Sequence, residues 1–320
     1  MSIKILGTGS FVPSKVVTND DLAQWMDTSD EWIRSRTGIT KRRIAVTETG
    51  NDMASMAGQK ALDNACIQGE DIELIIVATM SAEQSMPNVA CEVQKQIGAK
   101  KAICFDMNAA CSGFIFALHT ATTYIQTGMV KNALIIGVER LSKLVNWEDR
   151  STSVLFGDGA GAVVIAGKED AIYQAVLGSN GSKGEALTCV NSENKTPYKE
   201  EIQQDTCIKM DGQEVFKFAV STVPKVIGQV LEKAEVSVDT IDWFILHQAN
   251  ERILQSTAKR LNVSLDKFPM NLDHYGNTSA ASIPLLLDEM NQKGQLKAGN
   301  HIVLSGFGGG LTWGAVYLQW

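Results

Sequence analysis

The stretch ALDNACIQGEDIELIIVAT, residues 61–79, is matched by VLEKAEVSVDTIDWFILHQ, residues 230–248. The offset of 169 positions pairs Leu62 with Leu231, Ala65 with Ala234 and Ile72 with Ile241. In each copy a helical apolar pattern leads through a short loop into a run suited to a buried strand. Similarity at a constant spacing marks a duplicated unit. At the same offset NAACSGF (108–114) falls on NTSAASI (277–283), so Cys111 corresponds to Ala280. Farther on, NALIIGV (132–138) matches NHIVLSG (300–306) at 168, and GAVVI (161–165) matches GAVYL (314–318) at 153. The order is kept while the loops change length.

Each half therefore reads as alternating helices and strands, an α/β arrangement of layers with buried sheets. The boundary is expected near Gly167 to Asp170, giving halves 1–168 and 169–320, with a site where the two meet. Residues 180–212, NGSKGEALTCVNSENKTPYKEEIQQDTCIKMDG, are polar and weakly periodic and are expected to form a long loop or hairpin excursion.

A chain of 320 residues has room for a large core, and 44% apolar with 20% charged residues is the composition of an ordinary globular protein. A net charge of −7 argues against a nucleic-acid binder, which needs a basic excess to neutralise phosphates. No apolar run approaches the roughly 20 residues of a bilayer span, and MSIKILGTGSFVPS is too short and glycine-broken for a signal peptide, so a cytoplasmic protein without a membrane partner is expected. Six cysteines (Cys66, Cys91, Cys104, Cys111, Cys189, Cys207) are scattered without a C-x-x-C pair, which suggests neither a disulfide framework nor a metal site.

Within AICFDMNAACSGFIFALHTATTYIQTG, residues 102–128, a strand pattern is followed by a helix apolar on nearly every face, ending at Gly128. Cys111 stands at the start of that helix. There the free backbone N–H groups and the macrodipole would lower a thiol's pKa and could hold an oxyanion. A small packing residue would also fit. Partners for a nucleophile exist in the second half. His247 ends the apolar run WFIL, where α/β folds place their sites, and Asn277, pseudo-symmetric with Asn108, follows a glycine turn in HYGNTSAAS. A structural histidine and a turn asparagine are the plainer alternatives. The glycines of SGFGGGLTWGA (305–315) let a backbone approach a ligand closely. Neither this stretch nor GDGAGA at 157 opens a helix after a strand, so a dinucleotide fingerprint is not indicated.

Taken together these motifs resemble the β-ketoacyl-acyl carrier protein synthase III family of the thiolase superfamily. The likeness spans the chain in order: GTGSFVP, TNDDL, DTSDEWIRSRTGI, AACSGF, FGDGAGAVV, GQEVFK, HQANERI, HYGNTSAAS and GFGGGLTWG. The resemblance implies a thiolase-like fold of two βαβαβαββ halves in an αβαβα sandwich. It implies that Cys111 accepts an acyl group from a short acyl-CoA such as acetyl-CoA, with the N–H groups of Cys111 and Gly309 as oxyanion hole. His247 and Asn277 would then assist decarboxylation of malonyl-acyl carrier protein. Chain-elongating relatives use two histidines and thiolases a second cysteine in the glycine loop; this chain has Asn277 and GFGGG.

By the same resemblance CoA meets Thr28, Trp32, Arg36, Arg150, Gly212 and Asn250, with Trp32 on the adenine, and Phe307 lines the acyl pocket. The acidic acyl carrier protein is expected to dock on Lys217, Arg252, Lys259 and Arg260, the last three sharing one face of the predicted helix ANERILQSTAKRL. No cofactor is implied, CoA being part of a substrate, and a homodimer is. Met86 stands where acetyl-specific relatives often carry Phe, on a loop reaching across the dimer. A more adaptable side chain there suggests a primer pocket open to groups longer than acetyl. Alternatives are a relative handling unusual acyl groups in secondary metabolism and a non-catalytic acyl-CoA binder.

Overall fold

The computed structural model describes residues 2–192, 197–198 and 205–320, and in it the two copies build two sheets. The first half runs through β1 (Ser2–Phe11), β2 (Lys15–Thr18), α1 (Asn19–Leu22), α2 (Asp30–Thr37), β3 (Lys41–Ile44) and α3 (Gly50–Ala65). It continues through β4 (Leu74–Ala78), α4 (Val89–Ile97), β5 (Ile103–Met107), α5 (Gly113–Gln126), β6 (Asn132–Glu139) and β7 (Gly159–Lys168). The second half opens with β8 (Tyr173–Ser179), β9 (Leu187–Thr188), β10 (Lys209–Met210), α6 (Gly212–Ala234) and β11 (Trp243–Leu246). It closes with α7 (Glu251–Leu261), α8 (Leu272–Tyr275), α9 (Ser282–Gln292), β12 (His301–Gly308) and β13 (Thr312–Gln319).

The strand order is β1-β7-β6-β4-β5 in one sheet and β11-β12-β13-β8 in the other. Helices α5 and α9 pack against both sheets and form the central layer, while α3 with α4 and α6 with α7 cover the outer faces. The layers are therefore αβαβα, as expected. Strand side chains alternate between cores. Leu74, Ile76, Ala133 and Ile135 face the central helices, and Ile75, Val77, Leu134 and Ile136 face α3 and α4.

The duplication extends to backbone detail. Cys66 and Glu235, 169 apart, end α3 and α6 in the left-handed conformation with φ of 55° and 56°. Ile75 pairs with Leu134 as Phe244 pairs with Val303, so the offset stays 169 into the third segment. The match of NALIIGV with NHIVLSG at 168 is thus one residue short. Asn300 belongs to the turn before β12, where its side chain accepts the Lys297 N–H at 2.7 Å. A slip of one residue would have exchanged the two faces of β12.

The halves also differ. The residues 169 positions after β5 form the short helix α8 and not a strand, because NLDHYG lacks the apolar run of AICFD and ends on Gly276 at φ 66°. The excursion at 180–212 opens with a 3₁₀ segment, Gly181–Ala186, and then pairs β9 with β10 as an antiparallel ribbon; its residues 193–196 and 199–204 lie outside those described. Among the described residues no helix is long and apolar enough to cross a membrane.

Candidate active site

Cys111 lies one step before the helix it was expected to start, in a 3₁₀ turn, Ala110–Ser112, between β5 and α5. Ala110 is left-handed there at φ 45°, and at the equivalent place in the second half Ser279 is left-handed at φ 49°. The glycine loop serves this turn. A Cβ on Gly308 would stand 2.7 Å from the Cys111 amide nitrogen, and one on Gly306 would stand 3.2 Å from the Ser112 Cα. Strand β12 of one half can lie against the cysteine turn of the other only because those positions lack side chains.

Two cavities meet at Cys111. The larger, of about 310 Å³, is walled by Leu141, Phe156, Leu187, Ile208 and Gly309. The smaller, of about 90 Å³, brings Cys111 together with His247, Asn277 and Phe307. His247 follows β11 and is fixed by its N–H to Ser305 O at 2.8 Å. Its Nδ1 lies 2.7 Å from the Ser282 hydroxyl, which also accepts the Gln248 N–H at 3.3 Å. The Phe307 ring packs edge-on at 5.2 Å. Burial drives the imidazole pKa down to about 3, so the ring is neutral. Asn277 Oδ1 accepts the Ser279 N–H at 2.8 Å. That leaves the Nδ2 hydrogens for the cavity.

The expected lowering of the thiol pKa is not found. Burial pushes Cys111 up to about 12; the Ser279 hydroxyl pulls it back and the neighbouring Glu139 adds to the rise. Desolvation of the buried sulfur is the largest of these influences. Glu139, at the end of β6, is itself pushed up to about 7 by burial, against hydrogen bonds from Ser81, Ser279, Met80 and Ala280.

A path leads outward from these cavities. Gly212 and Asn250 line both the smaller cavity and an outer groove of about 380 Å³, which also holds Arg36, Lys217 and Arg252. Asn250 caps α7 through Oδ1 and donates Nδ2 to Arg36 O at 3.0 Å, tying α7 to α2. Beyond lies Trp32, with the Arg36 and Arg150 guanidinium carbons 4.7 and 5.1 Å from its ring centre. The Thr28 hydroxyl is buried without a partner among the described residues. Lys217 pairs with Glu214 at 2.8 Å. Lys259 and Arg260 are exposed on the last turn of α7 and line neither cavity nor groove. Met86 is 83% exposed and touches neither cavity of its own chain.

Sequence reasoning missed Ser279, Ser282 and Glu139. Ser279 and Ser282 follow Asn277 by two and five residues, and Glu139 is the one acid closing the apolar strand NALIIGVE. An acid ending a buried strand is the signal that was available. It also missed Leu187 and Ile208, which the excursion folds back over the larger cavity.

The chain is similar to known proteins along its whole length. Residues 105–181 match the family described as 3-oxoacyl-[acyl-carrier-protein (ACP)] synthase III, and residues 231–320 match its C-terminal part. Beta-ketoacyl-[acyl-carrier-protein] synthase III of Clostridium acetobutylicum is 52% identical over 321 residues, covering 100% of this chain and 99% of that protein. The crystal structure of 3-oxoacyl-[acyl-carrier-protein] synthase III from Aquifex aeolicus superposes with a TM-score of 0.93 at 46% identity, over 99% of this chain and 100% of that one. That of the Pseudomonas aeruginosa synthase III gives 0.93 at 35% identity, over 100% and 98%. A duplicated fold that brings a cysteine of one half to a histidine and an asparagine of the other, with likeness along its whole length, places this chain in the 3-oxoacyl-[acyl-carrier-protein] synthase III family.

Proposed function

We propose that the chain is an acyltransferase that joins a short acyl group from acyl-CoA to malonyl-acyl carrier protein with loss of CO₂, the step that initiates a dissociated fatty acid synthesis. The observation that carries this reading is the convergence of Cys111, His247 and Asn277 on one cavity. In the first half-reaction the Cys111 sulfur bonds to the thioester carbon, the bond from that carbon to the CoA sulfur breaks, and the thiol proton ends on CoA. A sulfur held near 12 attacks only as its proton leaves. The N–H groups of Cys111 and Gly309 receive the oxyanion.

In the second half-reaction the malonyl thioester loses CO₂ and its electron pair passes to the thioester oxygen as an enolate. With the Ser282 hydroxyl, 2.7 Å away, donating to Nδ1, the His247 proton would stand on Nε2. Nε2–H and the Asn277 carboxamide are then two neutral donors for the enolate, each worth about 3 kcal/mol. The enolate carbon attacks the acyl-cysteine, the carbon–sulfur bond breaks, and Cys111 recovers a proton. No organic cofactor or metal enters these steps.

CoA would lie along the path from Trp32, Arg36 and Arg150 through Gly212 and Asn250, with Thr28 offering a hydroxyl in want of a partner. Lys217 and Arg252 would meet the carrier protein at the groove and Lys259 and Arg260 farther out; their charge would chiefly speed association. A cytoplasmic homodimer belongs to this reading, with Met86 projecting toward the partner's acyl pocket.

The larger cavity, walled beside Cys111 by the apolar side chains of Leu141, Phe156, Leu187 and Ile208, favours acyl groups beyond acetyl. The test is to follow both half-reactions. Cys111→Ala should abolish acyl transfer, whereas His247→Ala and Asn277→Ala should keep it and lose decarboxylation. Equal loss of both would contradict the division of roles. A scan of acyl-CoA lengths with wild type and Met86→Phe tests the pocket, and identical profiles would reject the role of Met86.

A further inference from the structure

Glu139 takes no part in that mechanism, yet its carboxylate is fully buried beside it. The Ser81 hydroxyl donates to Oε2 at 2.5 Å, the Ser279 hydroxyl donates to Oε1 at 3.1 Å, and the Met80 N–H lies 3.3 Å from Oε2. The adjacent Arg140 pairs with Glu83 instead. A buried carboxylate served by neutral donors is a costly choice for packing alone.

The duplication shows what it is placed for. Glu139 and Gly308 are equivalent, 169 positions apart at the ends of β6 and β12. Gly308 lies against the turn of Cys111, and Glu139 against the turn Ser279–Ala281, the counterpart of that turn. One strand end leaves room and the other supplies an anchor. The anchored turn is strained, because Ser279 carries a side chain in the left-handed region, at φ 49°. It is also the turn whose Ser279 N–H fixes Asn277 Oδ1.

We propose that Glu139 is a positioning residue for decarboxylation: by holding the Ser279 hydroxyl it fixes the turn that aims the Asn277 carboxamide. This rests on the reading of Asn277 as a donor to the thioester oxygen. A residue that merely packed would, when replaced, lower stability and both half-reactions alike.

The experiment compares wild type, Glu139→Gln, Glu139→Leu, Ser279→Ala and Asn277→Ala as full chains, measuring acyl transfer to Cys111 and decarboxylation of malonyl-acyl carrier protein separately. Glu139→Gln keeps an oxygen for the Ser279 hydroxyl and should hold the ratio of the two rates within about threefold of wild type. Glu139→Leu should depress decarboxylation relative to acyl transfer by about tenfold to a hundredfold, the scale of a small misplacement. If Glu139→Leu does not fold, Ser279→Ala cuts the same contact from the other side; because that hydroxyl also bears on Cys111, the readout there is malonyl decarboxylation alone, which should fall by about tenfold or more. An unchanged ratio in folded Glu139→Leu, or unchanged decarboxylation in Ser279→Ala, would overturn the proposal. Retention of decarboxylation by Asn277→Ala would overturn the underlying role of Asn277 and the proposal with it, so the two failures are told apart.

Discussion

His247 Nδ1 and Ser282 Oγ stand 2.7 Å apart, in a pair that crosses from the end of β11 to the first turn of α9. The hydroxyl holds the ring plane and, in the proposed mechanism, donates to Nδ1 so that Nε2 keeps the proton. Ser282→Ala removes both controls without touching the ring. Decarboxylation should fall about tenfold to a hundredfold while acyl transfer to Cys111 is kept. Rate measurements on the separated half-reactions check this, and an unaltered decarboxylation rate would mean that the tautomer is set elsewhere.

Neighbouring glycines should respond differently to alanine. A Cβ at Gly308 would meet backbone 2.7 Å away, whereas one at Gly309 would find its nearest atoms at 3.5 Å. Gly308→Ala should cost about 1–3 kcal/mol, the range of forced overpacking, and displace the cysteine turn. Gly309→Ala should unfold like wild type. Denaturant titration of the two variants settles the comparison, and equal midpoints would remove the steric account of the loop.

The neutral buried imidazole has a consequence for acid stability. His247 has a folded pKa of about 3 against 6.5 for a free side chain, so the unfolded chain binds the additional proton between those values. Its contribution is therefore present above pH 6.5 and is lost as pH falls toward 3. From pH 7.5 to 4.5 the loss is about 3 kcal/mol. His247→Asn should lack this part of the acid slope. Glu139, raised to about 7, works in the opposite direction over the same window, so the comparison must be between wild type and variant. Parallel stability curves for the two would contradict a neutral, buried His247.

The fold was legible because the duplication repeats in apolar pattern what it repeats in space. Residues 61–79 and 230–248 place a helix, a turn and a central strand in each half, down to the paired left-handed ends at Cys66 and Glu235. Cys111, His247 and Asn277 were legible for the same reason, since a pseudo-twofold arrangement carries Asn108 and Asn277 to equivalent positions. The thiol pKa was not, because helix termini are visible in a sequence and the burial of a sulfur is not. Glu139 and Ser279 were hidden too, because their contact joins residues 140 positions apart and depends on a left-handed serine that no propensity indicates. The walls contributed by Leu187 and Ile208 escaped notice because a polar excursion gives no periodic signal of what it covers.

The most direct measurement is the intact mass of the protein after incubation with acetyl-CoA alone, followed by peptide mapping. The account predicts a gain of one acetyl group on Cys111, absent from Cys111→Ala and discharged when malonyl-acyl carrier protein is added. An unmodified Cys111, or an acetyl group on another cysteine such as Cys189 in the same cavity, would contradict it.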